Sequence, residues 1–293
     1  MRHGVLGPGG VGGLIGAVLA DAGEEVTLIV RPGTESLYPR EISLKSPVRK
    51  VRAAVLVTAS SKDPLDILWV TVKATQLSEA LQRIPTNFQA NAICPLLNGI
   101  DHVERLRDRF GHERVIPATI AVESERVAPG TIVHRSPFVR FGIAGTARER
   151  LAVILQIFQR FGFECSFFED EATLMWSKLV FLAPVALSTA AARSTIGDVL
   201  RDAVKAACLE RCVREACAVA TRAGAKVDAD VVLTKIKGLP AGMRSCMERD
   251  LSDGNVLELD AIAGPILRGA EKYGIKLEAL PELVRVLVQA QRT

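Results

Sequence analysis

The sequence predicts two domains of different class: an α/β domain with a parallel sheet over residues 1–168, then an all-α domain over residues 169–293. Three observations predict it. The 293 residues match two domains at roughly 150 residues each. Short apolar runs alternate with helical patterns through the first half, as a parallel sheet with crossover helices requires. After about Glu169 no strand pattern remains, and long amphipathic stretches follow. The chain shows no internal repeat and no low-complexity linker, so the boundary near residue 168 is a change of class rather than a flexible joint.

Arg2–Leu6 reads as the first strand, Gly10–Ala22 as a helix closed by Gly23, and Glu25–Val30 as a second, β-branched strand. Leu65–Lys73 and Ala92–Leu97 are further apolar runs, separated by a helical pattern near Gln76–Arg83. From Val115 to Ala144, Val, Ile, Thr and Phe alternate with polar residues around Pro129-Gly130, which predicts a hairpin extending the sheet. Ala147–Phe161 is helical, and Glu164–Phe168 is a last short strand. In the second half, Val199–Ala223 reads as one long amphipathic helix closed by Gly224. Asn255–Tyr273 is another, kinked at Pro265, and Pro281–Gln291 is the final helix.

Apolar residues make up 48% and charged residues 24%, which excludes a disordered, collagen-like or mucin-like chain and leaves material for a substantial core. The 37 Lys and Arg against 33 Asp and Glu give +4 with no long basic run, so a nucleic-acid partner is not expected, while a local anion site stays open. Six scattered cysteines form no C-x-x-C pair, and the four histidines lie away from the Cys208, Cys212, Cys217 group. No metal site and a reduced, cytoplasmic protein are therefore expected. Arg2 and His3 before an apolar stretch mimic a signal peptide, but Gly7-Pro8-Gly9-Gly10 interrupts it. The richest membrane candidate, Leu179–Ala192, falls short of roughly 18 residues and is flanked by Lys178 and Arg193, so no membrane span is expected.

The sharpest local signal is Gly7-Pro8-Gly9-Gly10-Val11-Gly12, a G-x-G-x-x-G between a strand and an apolar helix. Gly7 permits a tight turn, Gly9 lets the backbone approach a pyrophosphate, and Gly12 permits close helix–strand packing. The helix start supplies amide donors and the positive end of its dipole. This predicts a Rossmann-type dinucleotide site; the other reading is a structural turn. The strand Val26–Val30 ends in Arg31, 24 residues past Gly7, with no carboxylate at its tip. A carboxylate would repel a 2′-phosphate and a guanidinium can bind it, so NADP(H) is the expected cofactor. Lys73 and Gln76 follow the next apolar run, and Asn98, before Gly99, ends the one after. All three fall at the carboxyl edge, where ligands of such sheets bind.

Two residues of the second half can carry chemistry. Lys178, in Trp176-Ser177-Lys178-Leu179, stands at the head of an apolar, alanine-rich run; it either snorkels or serves a buried cleft. Reducing a ketone needs an acid beside the forming alkoxide, and a lysine can serve. Glu258 lies three residues after Asn255, the spacing of a capping box; spacing alone favours the cap over a carboxylate aimed at a ligand.

Together these pieces resemble the ketopantoate reductases (2-dehydropantoate 2-reductases), essentially end to end. The resemblance is carried by the glycine loop, Arg31, Lys73…Gln76, Asn98-Gly99, Pro129-Gly130, Trp176-x-Lys178-Leu179, Met247-x-x-Asp250, Glu258-x-Asp260 and Gly264. It implies a Rossmann domain followed by a helical domain with the active site in the cleft between them, and NADPH-dependent reduction of 2-dehydropantoate in pantothenate biosynthesis. Lys178 would protonate the C2 oxygen as general acid, and Glu258 would bind the substrate's terminal hydroxyl. Asn98 would orient Lys178 or the substrate, Lys73 and Gln76 would contact the cofactor, and Cys246 with the adjacent Ser245 would stand where the substrate carboxylate is held.

Some positions depart from the family's pattern. Asparagines expected four and eight residues after the lysine are Leu182 and Ala186, another is Ile196, and the family's serine before Met247 is Cys246. Ser188, Thr189, Arg193 and Ser194 are candidates to compensate. Otherwise the substrate is a larger or more apolar 2-oxo acid than ketopantoate. A third reading is a catalytically silent NADP-binding sensor, against which the presence of both Lys178 and Glu258 argues. The expected partner is thus a small-molecule 2-oxo acid, with the amphipathic helices offering a homodimer face.

Overall fold

A computed structural model describes residues 1–61, 63–85 and 87–291, which divide into two compact units. The first comprises Met1–Leu97 and His102–Glu171; the second comprises Asn98–Asp101 and the chain from Ala172 onward. Four residues of the first half therefore belong to the second unit, which a contiguous boundary does not foresee.

In the first unit, β1 (Arg2–Leu6) runs parallel to β2 (Glu25–Ile29), with α1 (Gly10–Asp21) as the crossover. β3 (Glu41–Lys45), β4 (Lys50–Ala54) and the short β5 (Leu56–Thr58) follow, none of them foreseen. β6 (Leu65–Val70) stops three residues before Lys73, a 3₁₀ turn spans Ala74–Gln76, and α2 is Leu77–Leu81. β7 (Ala90–Pro95) completes a parallel sheet of order β5-β2-β1-β6-β7. After α3 (His102–Phe110) come β8 (Ala118–Ala121), β9 (Ser124–Ala128), β10 (Thr131–His134), β11 (Arg140–Ala144), α4 (Ala152–Phe161) and β12 (Glu164–Phe168). The helix expected from Ala147 starts five residues later, after a 3₁₀ turn over Gly145–Ala147.

The hairpin at Pro129-Gly130 forms, but it does not extend the parallel sheet. β9 and β10 join β3 and β4 in a separate sheet of order β4-β3-β10-β9, and β8, β11 and β12 form a third. The physical reason is α1. Its apolar residues run all the way round, so it must be buried on every side. β1 and β2 cover one face and the second sheet covers another, with Ile132 packed where a Gly13 side chain would stand. Trp69, Phe141, Phe158, Phe161 and Phe163 pack edge-to-face and stacked in the same unit's core, Phe158 lying 5.1 Å from Phe141 and 4.6 Å from Phe163 between ring centres.

The second unit is helical: α5 (Glu171–Ala192), α6 (Ile196–Arg201), α7 (Ala203–Arg222), α8 (Ala229–Lys237), α9 (Cys246–Ser252), α10 (Leu259–Tyr273) and α11 (Ala279–Ala290). α5 is longer than the apolar run suggested. By length and composition alone it could cross a membrane, but 72% of its apolar window is buried, the environment of a core helix. The single helix expected from Val199 is two, because the Asp202 carboxylate accepts the amides of Val204 and Lys205 and caps a new start. α7 then packs against α6, α8, α10 and α11 through Leu209, Cys212, Val213, Ala216 and Ala220, spaced three and four apart.

Phe158 is fully buried within its aromatic cluster. Phe158→Ala is expected to lower unfolding stability by about 3–5 kcal/mol, measured by urea denaturation.

Candidate functional site

The glycine loop takes the form its spacing demands. Gly7 has φ of +84°, a left-handed conformation that glycine adopts without strain. The Thr71 hydroxyl, just past β6, donates to the Gly7 carbonyl at 2.9 Å, and a Cβ on Gly12 would lie 2.3 Å from that hydroxyl oxygen and 2.7 Å from the carbonyl oxygen. Pro8 and Gly12 are buried, while Gly9, Gly10 and Val11 are half-buried. Gly9 is the N-cap of α1 and no side chain caps that end. The atom nearest to a Cβ built on Gly9 is a backbone oxygen 4.0 Å away, so this side of the loop is open. Uncapped first-turn amides beside an open glycine surface fit an anionic pyrophosphate.

Arg31 follows β2, is exposed, and has no carboxylate partner among the described residues; its backbone carbonyl accepts the Thr34 hydroxyl at 2.7 Å. That setting suits a 2′-phosphate better than a free ribose hydroxyl. Lys73 and Gln76 are half-buried at the two ends of the turn that follows β6, joined by the Gln76 amide donating to the Lys73 carbonyl at 2.9 Å. Two supports of the loop are not legible in the sequence. Thr71 fastens the loop to the neighbouring strand, and the Ser124 hydroxyl on β9 donates to the Gly10 carbonyl at 2.9 Å. The second depends on β9 lying in the sheet that covers α1 rather than in the parallel sheet.

In the second unit, Lys178, Glu258, Asn98 and Cys246 come together. Lys178 lies two turns inside α5, which begins before the apolar run that Lys178 heads, and is half-buried. Desolvation lowers its ammonium from 10.5 to about 8, opposed by the negative charge of Glu258 and by the Cys246 sulfur. Cys246 is solvent-accessible but crowded by protein, which pushes its thiol up, so at neutral pH Glu258 is the standing counter-charge.

The capping box expected at Asn255 and Glu258 does not form. The Asn255 side-chain amide donates to Asp250 at 3.3 Å, and α10 starts only at Leu259. Glu258 occupies the cap position without capping; its buried carboxylate accepts the Asn98 side-chain N–H at 3.0 Å. Glu258 is therefore not a cap, and its carboxylate is turned to Asn98 instead.

Ser245 is buried and caps α9. Its hydroxyl accepts the Glu248 amide at 3.0 Å and lies 2.7 Å from the Thr189 hydroxyl, which also donates to the Val185 carbonyl. One turn along α5 from Lys178 lies half-buried Leu182, while Ala186 and Ile196 are fully buried. Among the compensating candidates, the Ser188 and Ser194 hydroxyls are buried without a hydrogen-bond partner among the described residues. Arg193 is exposed with φ of 46°.

Comparison with known proteins places these features in one family. Residues 3–143 match the model described as ketopantoate reductase PanE/ApbA, and residues 171–291 match its C-terminal counterpart. A protein named uncharacterized oxidoreductase YkpB, from Bacillus subtilis, is 28% identical over 99% of this chain and 98% of its own. The 2-dehydropantoate 2-reductase of Caulobacter vibrioides is 27% identical over 97% of each chain. Among solved structures, a PanE/ApbA family ketopantoate reductase from Ralstonia eutropha superposes with a TM-score of 0.85 at 23% identity, covering 100% of this chain and 99% of its own. D-mandelate dehydrogenase with NADH and anilino(oxo)acetate gives 0.86 at 18% identity over the same shares, a likeness of fold. The chain belongs to the ketopantoate reductase family, whose members are NADP-dependent oxidoreductases acting on CH–OH groups.

Proposed function

We propose that this chain reduces the 2-oxo group of 2-dehydropantoate to give pantoate, a step of pantothenate biosynthesis. The observation that carries the proposal is the half-buried Lys178 beside Glu258, its ammonium lowered to about 8 on a mostly apolar helix. An ammonium in that range is a competent acid near neutral pH and can be reloaded from water. NADPH, when bound, supplies the hydride that forms the new C–H bond at C2. Lys178 Nζ gives its proton to the carbonyl oxygen, where the C=O π pair becomes the new O–H bond, so no free alkoxide forms and the lysine is left as the neutral amine. Glu258 holds the substrate's terminal hydroxyl, and the Asn98 amide fixes that carboxylate. Cys246 and Ser245 stand at the substrate carboxylate.

The loop Gly7–Gly12 holds the cofactor pyrophosphate, Arg31 its 2′-phosphate, and Lys73 and Gln76 its nicotinamide half. We assign cofactor binding to residues 1–168 and the acid chemistry to residues 169–293, joined there by Asn98. Six free thiols support the reducing cytoplasm as the place of action. A homodimer is the assembly we propose; a relative from Staphylococcus aureus is described as a dimeric ketopantoate reductase. A second reading, favoured by Leu182, Ala186 and Ile196, is reduction of a more apolar 2-oxo acid. Steady-state NADPH oxidation with ketopantoate and a panel of 2-oxo acids separates the two.

Lys178→Ala is expected to lower kcat roughly 10²- to 10⁴-fold while NADPH affinity, measured by fluorescence titration, stays the same. The acid must be protonated, so wild-type kcat/KM for reduction should hold below pH 8 and fall above it, following a group near 8. The same shift has a stability consequence. The unfolded chain holds the lysine proton up to about 10.5, so wild type is penalised below pH 8 and relieved between 8 and 10.5. The Tm difference between wild type and Lys178→Met should therefore shift in favour of wild type as pH rises through that window, read by thermal melts at pH 7 and pH 10. Arg31→Ala should weaken NADPH roughly ten- to a hundredfold, the loss of charge-assisted hydrogen bonds, and leave NADH affinity unchanged. Equal loss for both would remove Arg31 from this role.

A further inference from the structure

We infer that Gly99 and Arg268 are positioning residues: they seat the Asn98 amide on the Glu258 carboxylate, and through it set substrate affinity. The inference rests on the roles given above to Asn98 and Glu258, and it concerns what holds them.

Asn98–Asp101 belongs compactly to the second unit, while its neighbours in sequence on either side belong to the first. Two contacts with the start of α10 fasten it there. Gly99 has φ of +81°, and a Cβ on it would lie 2.2 Å from the Ala261 carbonyl oxygen. That carbonyl is unusual. Four residues on stands Pro265, inside the helix, which has no N–H to return to it. A helix carbonyl deprived of its partner faces a residue without a side chain, and the backbones approach at that point.

At the far end of the segment, Asp101 pairs with Arg268, whose Nη1 also donates to Asp260 Oδ1 at 2.7 Å. Asp260, Gly264 and Arg268 are four apart and share one face of α10. A Cβ on Gly264 would lie 2.6 Å from both Asp260 Oδ1 and Arg268 Nη2. The missing side chain therefore lets the guanidinium lie along the helix and span two carboxylates. These two fastenings hold the backbone from which Asn98 extends its amide. Its N–H donates to Glu258 at 3.0 Å, at the cap position of the same helix. Gly264 and Pro265 thus act at a distance along one helix on the pair at its start.

An exposed ion pair contributes little to global stability, so the effect belongs in local order and in KM rather than in Tm. The test compares Arg268→Ala, Arg268→Lys, Gly99→Ala and Asn98→Ala. It uses kcat and KM for the oxo acid at saturating NADPH, and hydrogen–deuterium exchange of the peptide covering residues 98–101 without substrate. Arg268→Ala should speed exchange of that peptide and raise KM about tenfold, with kcat changed less than threefold, the loss of one charge-assisted contact. Arg268→Lys, which keeps one ion pair, should recover part of both. Adding Arg268→Ala to Asn98→Ala should raise KM no further, since the amide it positions is gone. Gly99→Ala should show a larger effect of the same kind. If Arg268→Ala leaves exchange and KM as in wild type, or its effect on KM adds fully to that of Asn98→Ala, the inference is overturned. If wild type turns over no 2-oxo acid, the proposed function fails instead, and exchange at 98–101 still decides whether the two fastenings hold the segment.

Discussion

A positive charge held against an apolar helix organises the second unit. Lys178 interrupts the apolar surface of α5, and moving its ammonium out of water is costly unless a counter-charge stands near. Glu258 is that charge, and it is buried as well. Neither group is comfortable without the other, and Glu258 gains its hydrogen bond from Asn98, a residue of the first half of the chain. The start of α10, the chain excursion at 98–101 and the middle of α5 are therefore coupled through two charges. The compromise leaves the lysine able to release a proton near neutral pH, which a fully hydrated lysine does not do.

How legible was this arrangement? Local features were read well. β1, α1, β2 and the loop between them follow from glycine spacing and from an apolar pattern that needs no distant partner to interpret. β12 and the final helix were equally plain. Features that depend on a partner were not. β3 and β4 are five-residue strands with charged residues on their exposed positions, and nothing in such short runs says which sheet will take them. The hairpin was seen but misplaced, because pairing with β3 rather than with the parallel sheet is decided by the need to cover α1. Asp202 looked like one more polar position on a helix, yet its side chain competes for the backbone amides and starts a new helix.

The Glu258 reading shows the limit most clearly. By spacing it belonged to a capping box with Asn255, and a local rule was available to explain it. The structure sends Asn255 back to Asp250 and Glu258 across to Asn98, 160 residues away in sequence. A cap contributes about 1 kcal/mol, and a buried carboxylate beside an ammonium involves considerably more. The larger effect took the residue. A carboxylate found at a cap position without capping is itself a signal that some other demand is being met.

The Asn98–Glu258 bond also bears on how the apolar positions Leu182 and Ala186 can be tolerated. A buried carboxylate left without a donor would cost about 1–3 kcal/mol or more, and a site relying on a substrate hydroxyl to satisfy it would reject any substrate that lacked one. Asn98 supplies a donor from within the protein, so Glu258 is satisfied whether or not the ligand brings a hydroxyl. On the proposed function, with an aliphatic side chain one turn from Lys178, discrimination among 2-oxo acids would fall largely to contacts that distinguish one methylene by only about 1–3 kcal/mol. Under the proposed function, Lys178 and its counter-charge are thus kept strict while the aliphatic residue one turn away is permissive. In the proposed reaction, proton transfer at the 2-oxo group is held more tightly than the identity of the side chain that the oxo acid carries.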